Sequence, residues 1–401
     1  MNRIESLLAK LCISIVSVVI CLLVVELAAR FYLWHIASEK DFRVLASINQ
    51  IKDRYGDDLL ISRLDHRNLS WSPHHYLGYY PTPNFRRGEN KHNSLGFRGD
   101  EISVTKPEHT YRIVTVGGST TYSIDVLNYQ HSYPYLLGEY LQASGYKDVE
   151  VINAGVAAHT SFHNLMNLEF RVLPLDPDLI IIYQGFNDIH TRFVYPNSLY
   201  SGDNSGYEAQ YVSDVVMPQI VEYSTALRIL GIRAGFTESH AALDWHHRGR
   251  ASNNYAKLFQ QQVDRGIYPS DIFEQVSAMD MLENNPPVHF ERNVQNMLAI
   301  AERHDIDVLL VTVVLIDDFH QRTGSKMNTG FSSEEFQYAM AQHNDVTRKV
   351  ATTPDSTLLD LAEIFPDEPA LFSDGLHTGL EGNRIRAQLV GDFVIREFLS
   401  T

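Results

Sequence analysis

Ser119, Asp374 and His377 are residues whose types and spacing suit nucleophilic catalysis. Ser119 closes Val116-Gly117-Gly118-Ser119, directly after the β-branched run Arg112-Ile113-Val114-Thr115-Val116. Two preceding glycines let the backbone turn tightly there and expose the hydroxyl. A serine hydroxyl is a weak nucleophile until a base takes its proton, and the base needs an orienting carboxylate. Asp374-Gly375-Leu376-His377 supplies both groups three residues apart, within reach of one tight loop. The oxyanion that forms needs preorganised donors. Gly155, in Asn153-Ala154-Gly155, offers a backbone N–H with no side chain in the way. Asn187, in Gly185-Phe186-Asn187-Asp188, offers a side-chain amide, and the Ser119 N–H makes a third donor.

Taken singly, each block has a commoner explanation. Most Gly-Gly-Ser triplets are strand-to-helix turns with Ser or Thr as the cap, an Asp-x-x-His is more often a cap or a surface pair, and Gly155 and Asn187 could be a turn glycine and a helix N-cap. Their placement argues otherwise. The first three blocks sit where predicted strands end, and open parallel α/β sheets bind ligands just beyond the carboxyl ends of their strands.

Those strands are legible as apolar runs. Residues 112–116, Val149-Glu150-Val151-Ile152, Leu179-Ile180-Ile181-Ile182-Tyr183 and Asp307–Val314 read as strands, with Ser356–Asp360 a weaker fifth. The third run is almost wholly apolar, as a strand covered on both faces should be. Helix-like stretches at Pro134–Ala143 and Val294–His304 alternate with them, which predicts a mostly parallel sheet with right-handed crossovers. Residues 37–110, with aromatic and proline punctuation and no sustained periodicity, read as a stalk and N-terminal extension. The main domain then runs from 111 to 401, with an insertion at about 196–287 that contains Asp244-Trp245-His246-His247-Arg248 and suits a lid or a structural elaboration.

No charged residue falls between Leu11 and Val25, while Arg3 and Lys10 precede this run and Glu26 and Arg30 follow it. Leu27-Ala28-Ala29 and Phe31–Trp34 extend the apolar character, so residues 1–36 read as an uncleaved signal anchor, a single transmembrane helix. The competing reading is a cleaved signal peptide, for which Ala28-Ala29 is a poor cleavage site. Positive residues on the N-terminal flank keep that end in the cytoplasm and place the catalytic domain on the periplasmic side of the cytoplasmic membrane. Cys12 and Cys21 both lie inside the apolar run, so the exported part has no disulfide. Val18-Val19-Ile20 before Cys21 lacks the small residues expected ahead of a lipid-modified cysteine.

The 401 residues, 44% hydrophobic and 20% charged, are enough for a full core. A net charge of −16 and a pI near 5.5 argue against a nucleic-acid partner. His159 and His163 have the i, i+4 spacing of a helical zinc pair, but no Glu follows His159 and no third ligand is evident, so packing or surface roles are expected. Gly117–Thr121 lacks the lysine and spacing of a phosphate loop, and no cofactor or metal is expected.

The four blocks stand in the order found in the SGNH (GDSL-type) hydrolases, which the chain resembles over residues 111–195 and 288–399. The name-giving Ser, Gly, Asn and His would be Ser119, Gly155, Asn187 and His377. The resemblance implies a flavodoxin-like three-layer α/β/α sandwich, with Ser119 as nucleophile, His377 as base, Asp374 as its orienter, and Gly155 and Asn187 as oxyanion donors. One departure is Gly118, where the name-giving motif has Asp; Gly-Gly-Ser variants are similar to membrane-anchored members. Asn93-Ser94-Leu95-Gly96-Phe97-Arg98-Gly99 also resembles the lead-in of such members.

The expected function is an exported, membrane-anchored serine esterase that removes O-acetyl groups from envelope or exported carbohydrate, with envelope polysaccharide machinery as a possible partner. The alternatives are a polysaccharide O-acetyltransferase using the same triad, a lysophospholipase, and a non-catalytic glycan-binding protein.

Overall fold

Five short runs pair into one parallel sheet. They are β1 (Tyr111–Gly117), β2 (Val149–Asn153), β3 (Leu179–Tyr183), β4 (Asp307–Val311) and β5 (Thr357–Leu359), in the spatial order β2-β1-β3-β4-β5. The computed structural model describes residues 3–55, 70–74, 77–204, 219–237, 275–316, 333–352 and 356–400. Every pairing in the sheet is parallel, with Ile113 opposite Val151 on one side and Leu179 on the other.

Because side chains alternate along a strand, Ile113, Leu179, Ile181 and Leu309 enter one apolar cluster, while Val114, Ile180, Ile182 and Leu310 enter a second on the opposite face. Helices cover both faces. Leu137 and Leu141 of Tyr133–Ala143, with Ala387 and Val390 of Leu380–Val394, fill the first cluster. Val294, Met297 and Ala301 of Val288–Arg303 fill the second. All five residues of β3 are buried, which is why its sequence is a continuous apolar run. The sheet is parallel, as the alternating pattern predicts, and the layering is the three-layer α/β/α arrangement that the resemblance implies.

From β1 the chain crosses outward to β2 and then back to β3 on the other side of β1. The carboxyl ends of β1 and β3 therefore diverge at a topological switch point, where such sheets open a crevice.

The chain forms two compact units, Met1–Asp65 with Ser213–Arg250, and His66–Val212 with Ala251–Thr401. This partition differs from the boundaries expected at 37–110 and 196–287. Residues 66–110 group with the sheet, and 213–250 group with the N-terminal helix. Long-range hydrogen bonds account for both differences. Arg98 is bound to the turn after β1, and Glu26 to residues 224–226.

In the first unit, the helix Arg3–Phe31 continues through a wider turn to Ile36. Ala9–Ile36 is long and apolar enough to cross a membrane, and its most apolar stretch is exposed throughout. A small core of Leu33, Phe42, Leu45, Ala46 and Ile51 sits beside its end, with Ile229 and Ile232 packed on it. The Asp244–Arg248 stretch lies outside the described residues.

Candidate active site

β1 ends at Gly117, and Gly118 caps a single helical turn, Ser119–Tyr122. Ser119 Oγ lies 2.7 Å from His377 Nε2. His377 Nδ1 lies 2.7 Å from Asp374 Oδ2. The Asp374-Gly375-Leu376-His377 loop makes this possible, because the other carboxylate oxygen accepts from the Leu376 N–H at 3.0 Å and the His377 N–H at 2.8 Å. The aspartate thus folds its own loop and presents its free oxygen to the ring. With Nδ1–H donating to Asp374, Nε2 is left as an acceptor for the Ser119 hydroxyl.

Burial pushes the Asp374 carboxyl up, but the hydrogen bond and charge of His377, with the two loop N–H groups, outweigh it and hold the group below the ordinary carboxylate range. A depressed folded pKa stabilises the fold above the unfolded value, and that contribution is lost as pH falls through the folded one. Asp374→Asn should therefore lower the melting temperature by roughly 2–4 °C at neutral pH, the scale of about 1 kcal/mol in a domain of this size. The deficit should hold down to about pH 5 and shrink below about pH 4. Melting curves from pH 3 to 8 test this; a deficit unchanged through pH 3 contradicts it.

Asn187 follows β3 in the helix Phe186–Arg192. Its Nδ2 donates to the His159 backbone oxygen at 2.8 Å, which fixes the amide orientation and leaves the second N–H of that nitrogen available. A Cβ on Gly118 would lie 2.5 Å from this nitrogen. The amide is thus seated against the residue preceding the serine. The first N–H groups of the Ser119–Tyr122 turn have no intrahelical acceptor, which leaves the Ser119 N–H as a donor at the same place.

Gly155 is placed differently from the simple donor expected. Its N–H donates to Asn153 Oδ1 at 3.0 Å, so an oxyanion could use it only through a shared, three-centre bond. A Cβ there would lie 2.4 Å from the Tyr122 nitrogen. Close packing of the loop after β2 on the nucleophile turn is thus a second reason for glycine at 155.

Buried polar groups hold these loops. The Asp188 carboxylate accepts both Ser161 donors, its N–H at 3.0 Å and its hydroxyl, and Gln184 Nε2 at 2.7 Å. Burial raises the Asp188 pKa against those bonds. This tie between the end of β3 and the 158–163 segment sets the His159 carbonyl against Asn187. His159 itself is fully buried, with Nε2 3.1 Å from the Tyr79 oxygen. Burial drives it well below the ordinary imidazole range, so it is neutral. It stacks on His163, whose Nδ1 accepts from Thr160. Both histidines serve packing and capping.

The sequence reading assigned Arg98 no role. It is buried, and its guanidinium donates to the carbonyls of Tyr122, Ser123 (2.6 Å) and Val126. It lies 4.5 Å from the Tyr122 ring centroid, and its Nε donates to Asn90 Oδ1 at 3.1 Å. A one-turn helix cannot hold itself, and a cation on its last carbonyls supplies the missing partners at the negative end of its dipole. His92 adds a 2.8 Å contact from Nε2 to the Tyr122 hydroxyl; burial pushes its pKa down to about 3, so it too is neutral. The segment Asn93–Gly99 had stood out only by resemblance; this brace is its physical content.

Asp125 is exposed, and its carboxylate lies within 4.8 Å of the Asp374 and His377 ligand atoms. That trio has the donor types of a metal site. Both His377 nitrogens are already engaged, however, which leaves no imidazole lone pair for an ion while the Ser119–His377–Asp374 line is intact. Among the described residues, the shallow crevice at Ser119 is lined by Gly118, Gln184, Phe186, Asn187, Val313 and Leu376.

No protein-family model matches the sequence, and no curated protein matches it. Solved structures to which the chain is similar include the acetyl xylan esterase AlAXEase, at 16% identity over 71% of this chain and 100% of that one, with a TM-score of 0.38. A variant of Axe2, an acetylxylan esterase from Geobacillus stearothermophilus, is 14% identical over 73% of this chain and 95% of that one, TM-score 0.38. A GDSL-like lipase from Bacteroides thetaiotaomicron VPI-5482 is 14% identical over 73% and 91%, TM-score 0.37. What this chain can do is set by its own side-chain geometry.

Proposed function

We propose that the chain is a membrane-anchored serine esterase that removes short acyl groups, acetyl above all, from carbohydrate outside the cytoplasmic membrane. The observation that carries the chemistry is the unbroken line from Ser119 Oγ through His377 to Asp374 at the switch point of the sheet. His377 Nε2 takes the Ser119 proton as Oγ bonds to the ester carbonyl carbon, and the oxyanion is held by the Ser119 N–H and the Asn187 amide. Collapse breaks the bond to the sugar oxygen, which leaves with the proton from His377. Water, deprotonated by the same nitrogen, then bonds to the acyl carbon; the bond to Ser119 Oγ breaks, His377 returns the proton to Oγ, and the carboxylic acid leaves.

Phe186, Val313 and Leu376 line the crevice beside Ser119 and offer apolar surface against which an acetyl methyl can pack. Anchoring is supported by the exposed apolar helix Ala9–Ile36 with Arg3 and Lys10 on its N-terminal flank.

The test is product analysis with the full chain in detergent and an O-acetylated oligosaccharide. Free acetate released in proportion to enzyme, with no acetyl transferred to an added unacetylated glycan, is the expected result. Acetylated glycan without free acetate would make the chain a transferase. No acetate and no transfer would leave a glycan-binding protein.

A further inference from the structure

Residues 219–237 leave several large apolar side chains exposed while burying polar Thr225 and Arg228 beside the inward-facing Val221, Ile229 and Ile232. In the helix Thr225–Ala234, Leu227 and Leu230 are 45% and 61% exposed, and they are flanked by exposed Ile220, Tyr223 and Phe236. The opposite side carries Arg228, fully buried, whose Nε donates to the backbone oxygens of Leu45 (3.2 Å) and Ala46 (3.0 Å). Buried Thr225 accepts from Gln50 Nε2 at 2.7 Å. A helix facing water carries polar residues on its outer face, where this one carries Leu227 and Leu230.

The same segment is tied to the apolar N-terminal helix through Glu26. That carboxylate accepts from the Ser224 hydroxyl (2.8 Å) and from the N–H groups of Thr225 (2.9 Å) and Ala226 (3.0 Å). It also pairs with Arg30 at 2.7 Å. The open donors at the start of one helix and the sole carboxylate of Ala9–Ile36 thus satisfy each other, as polar groups near hydrocarbon must. Ten residues make a helix of about 15 Å, too short to cross a bilayer but long enough to lie in its boundary. Arg233, exposed in the last turn, can reach headgroups.

We infer that residues 219–237 are a second lipid-contacting element, lying in the bilayer interface beside the N-terminal helix with Tyr223, Leu227, Leu230 and Phe236 against acyl chains. This rests on the proposed membrane span at Ala9–Ile36. It gives this part of the insertion a membrane role in place of a lid role.

The test uses the full chain with Cys12→Ser and Cys21→Ser, in vesicles of phosphatidylcholine and phosphatidylglycerol, carrying one nitroxide at Val19→Cys, Leu230→Cys or Leu127→Cys. Leu127, 83% exposed in the other unit, is the aqueous control. The ratio of collisions with oxygen to collisions with a water-soluble nickel chelate should be several-fold higher at 19 and at 230 than at 127. Leu227→Cys, on the same face, serves where position 230 does not tolerate the label. A lipid-like ratio at 19 with a water-like ratio at 227 and 230 overturns the second element and leaves the span standing. Water-like ratios at 19 and 230 together overturn both.

Discussion

Ser119→Ala is expected to lower kcat/KM for p-nitrophenyl acetate by about 10⁴-fold or more, equivalent to about 5 kcal/mol of transition-state stabilisation. His377→Ala should cost a comparable factor, and the double substitution little beyond either alone. On the proposed mechanism the two groups act as one device. Without an imidazole whose Nε2 accepts the proton, the hydroxyl 2.7 Å away is an ordinary alcohol, and without the hydroxyl the imidazole has nothing to activate. Additive losses would mean that the residues act independently, and activity within tenfold of the wild type after Ser119→Ala would refute the serine mechanism.

Gly118→Ala should reduce kcat by about 10²- to 10³-fold, the range for loss of one oxyanion donor, with KM little changed. The new methyl carbon would lie 2.5 Å from Asn187 Nδ2, so the amide must swing away from the serine and its bond to the His159 oxygen is strained. The displaced atom is the tip of a side chain, so the fold should lose only about 1 kcal/mol or less. Asn187→Ala should produce a similar kcat loss, and the pair should be markedly sub-additive because both remove the same donor. A Gly118→Ala enzyme with unchanged kcat would show that the Asn187 amide does not reach the oxyanion.

What the sequence made legible follows from the range of the interactions involved. β3 could be read because a strand buried on both faces must be apolar at every position, and the Asp374–His377 pair because its geometry is made within four residues. β5 was weak because only three residues pair in it. The hairpin at Arg86–Arg87 and Asn90–Lys91 has two-residue strands, too short to carry a period. The bonds of Arg98 to the Tyr122 carbonyl and of Asp188 to Ser161 span 24 and 27 residues, and no local pattern encodes such contacts. The bond from Gly155's N–H to Asn153 is local, but the close approach of the Tyr122 backbone that requires glycine there comes from a distant part of the chain. The uncharged run at Leu11–Val25 marked the N-terminal helix; past it, Glu26 and Arg30 pair one turn apart, a contact of the kind that favours a helix.

The grip of Arg98 on the nucleophile turn also sets the minimum length of an autonomous catalytic piece. Cutting the chain at Tyr111, the first residue of β1, leaves every group of the Ser119–His377–Asp374 line in place yet strips the carbonyls of Tyr122, Ser123 and Val126 of their common donor. Such a fragment would retain the chemistry in its composition while losing the support that points the serine. A fragment that keeps this brace must therefore include Asn90 and Arg98, and removal of the segment before residue 111 is expected to lower activity without touching the crevice.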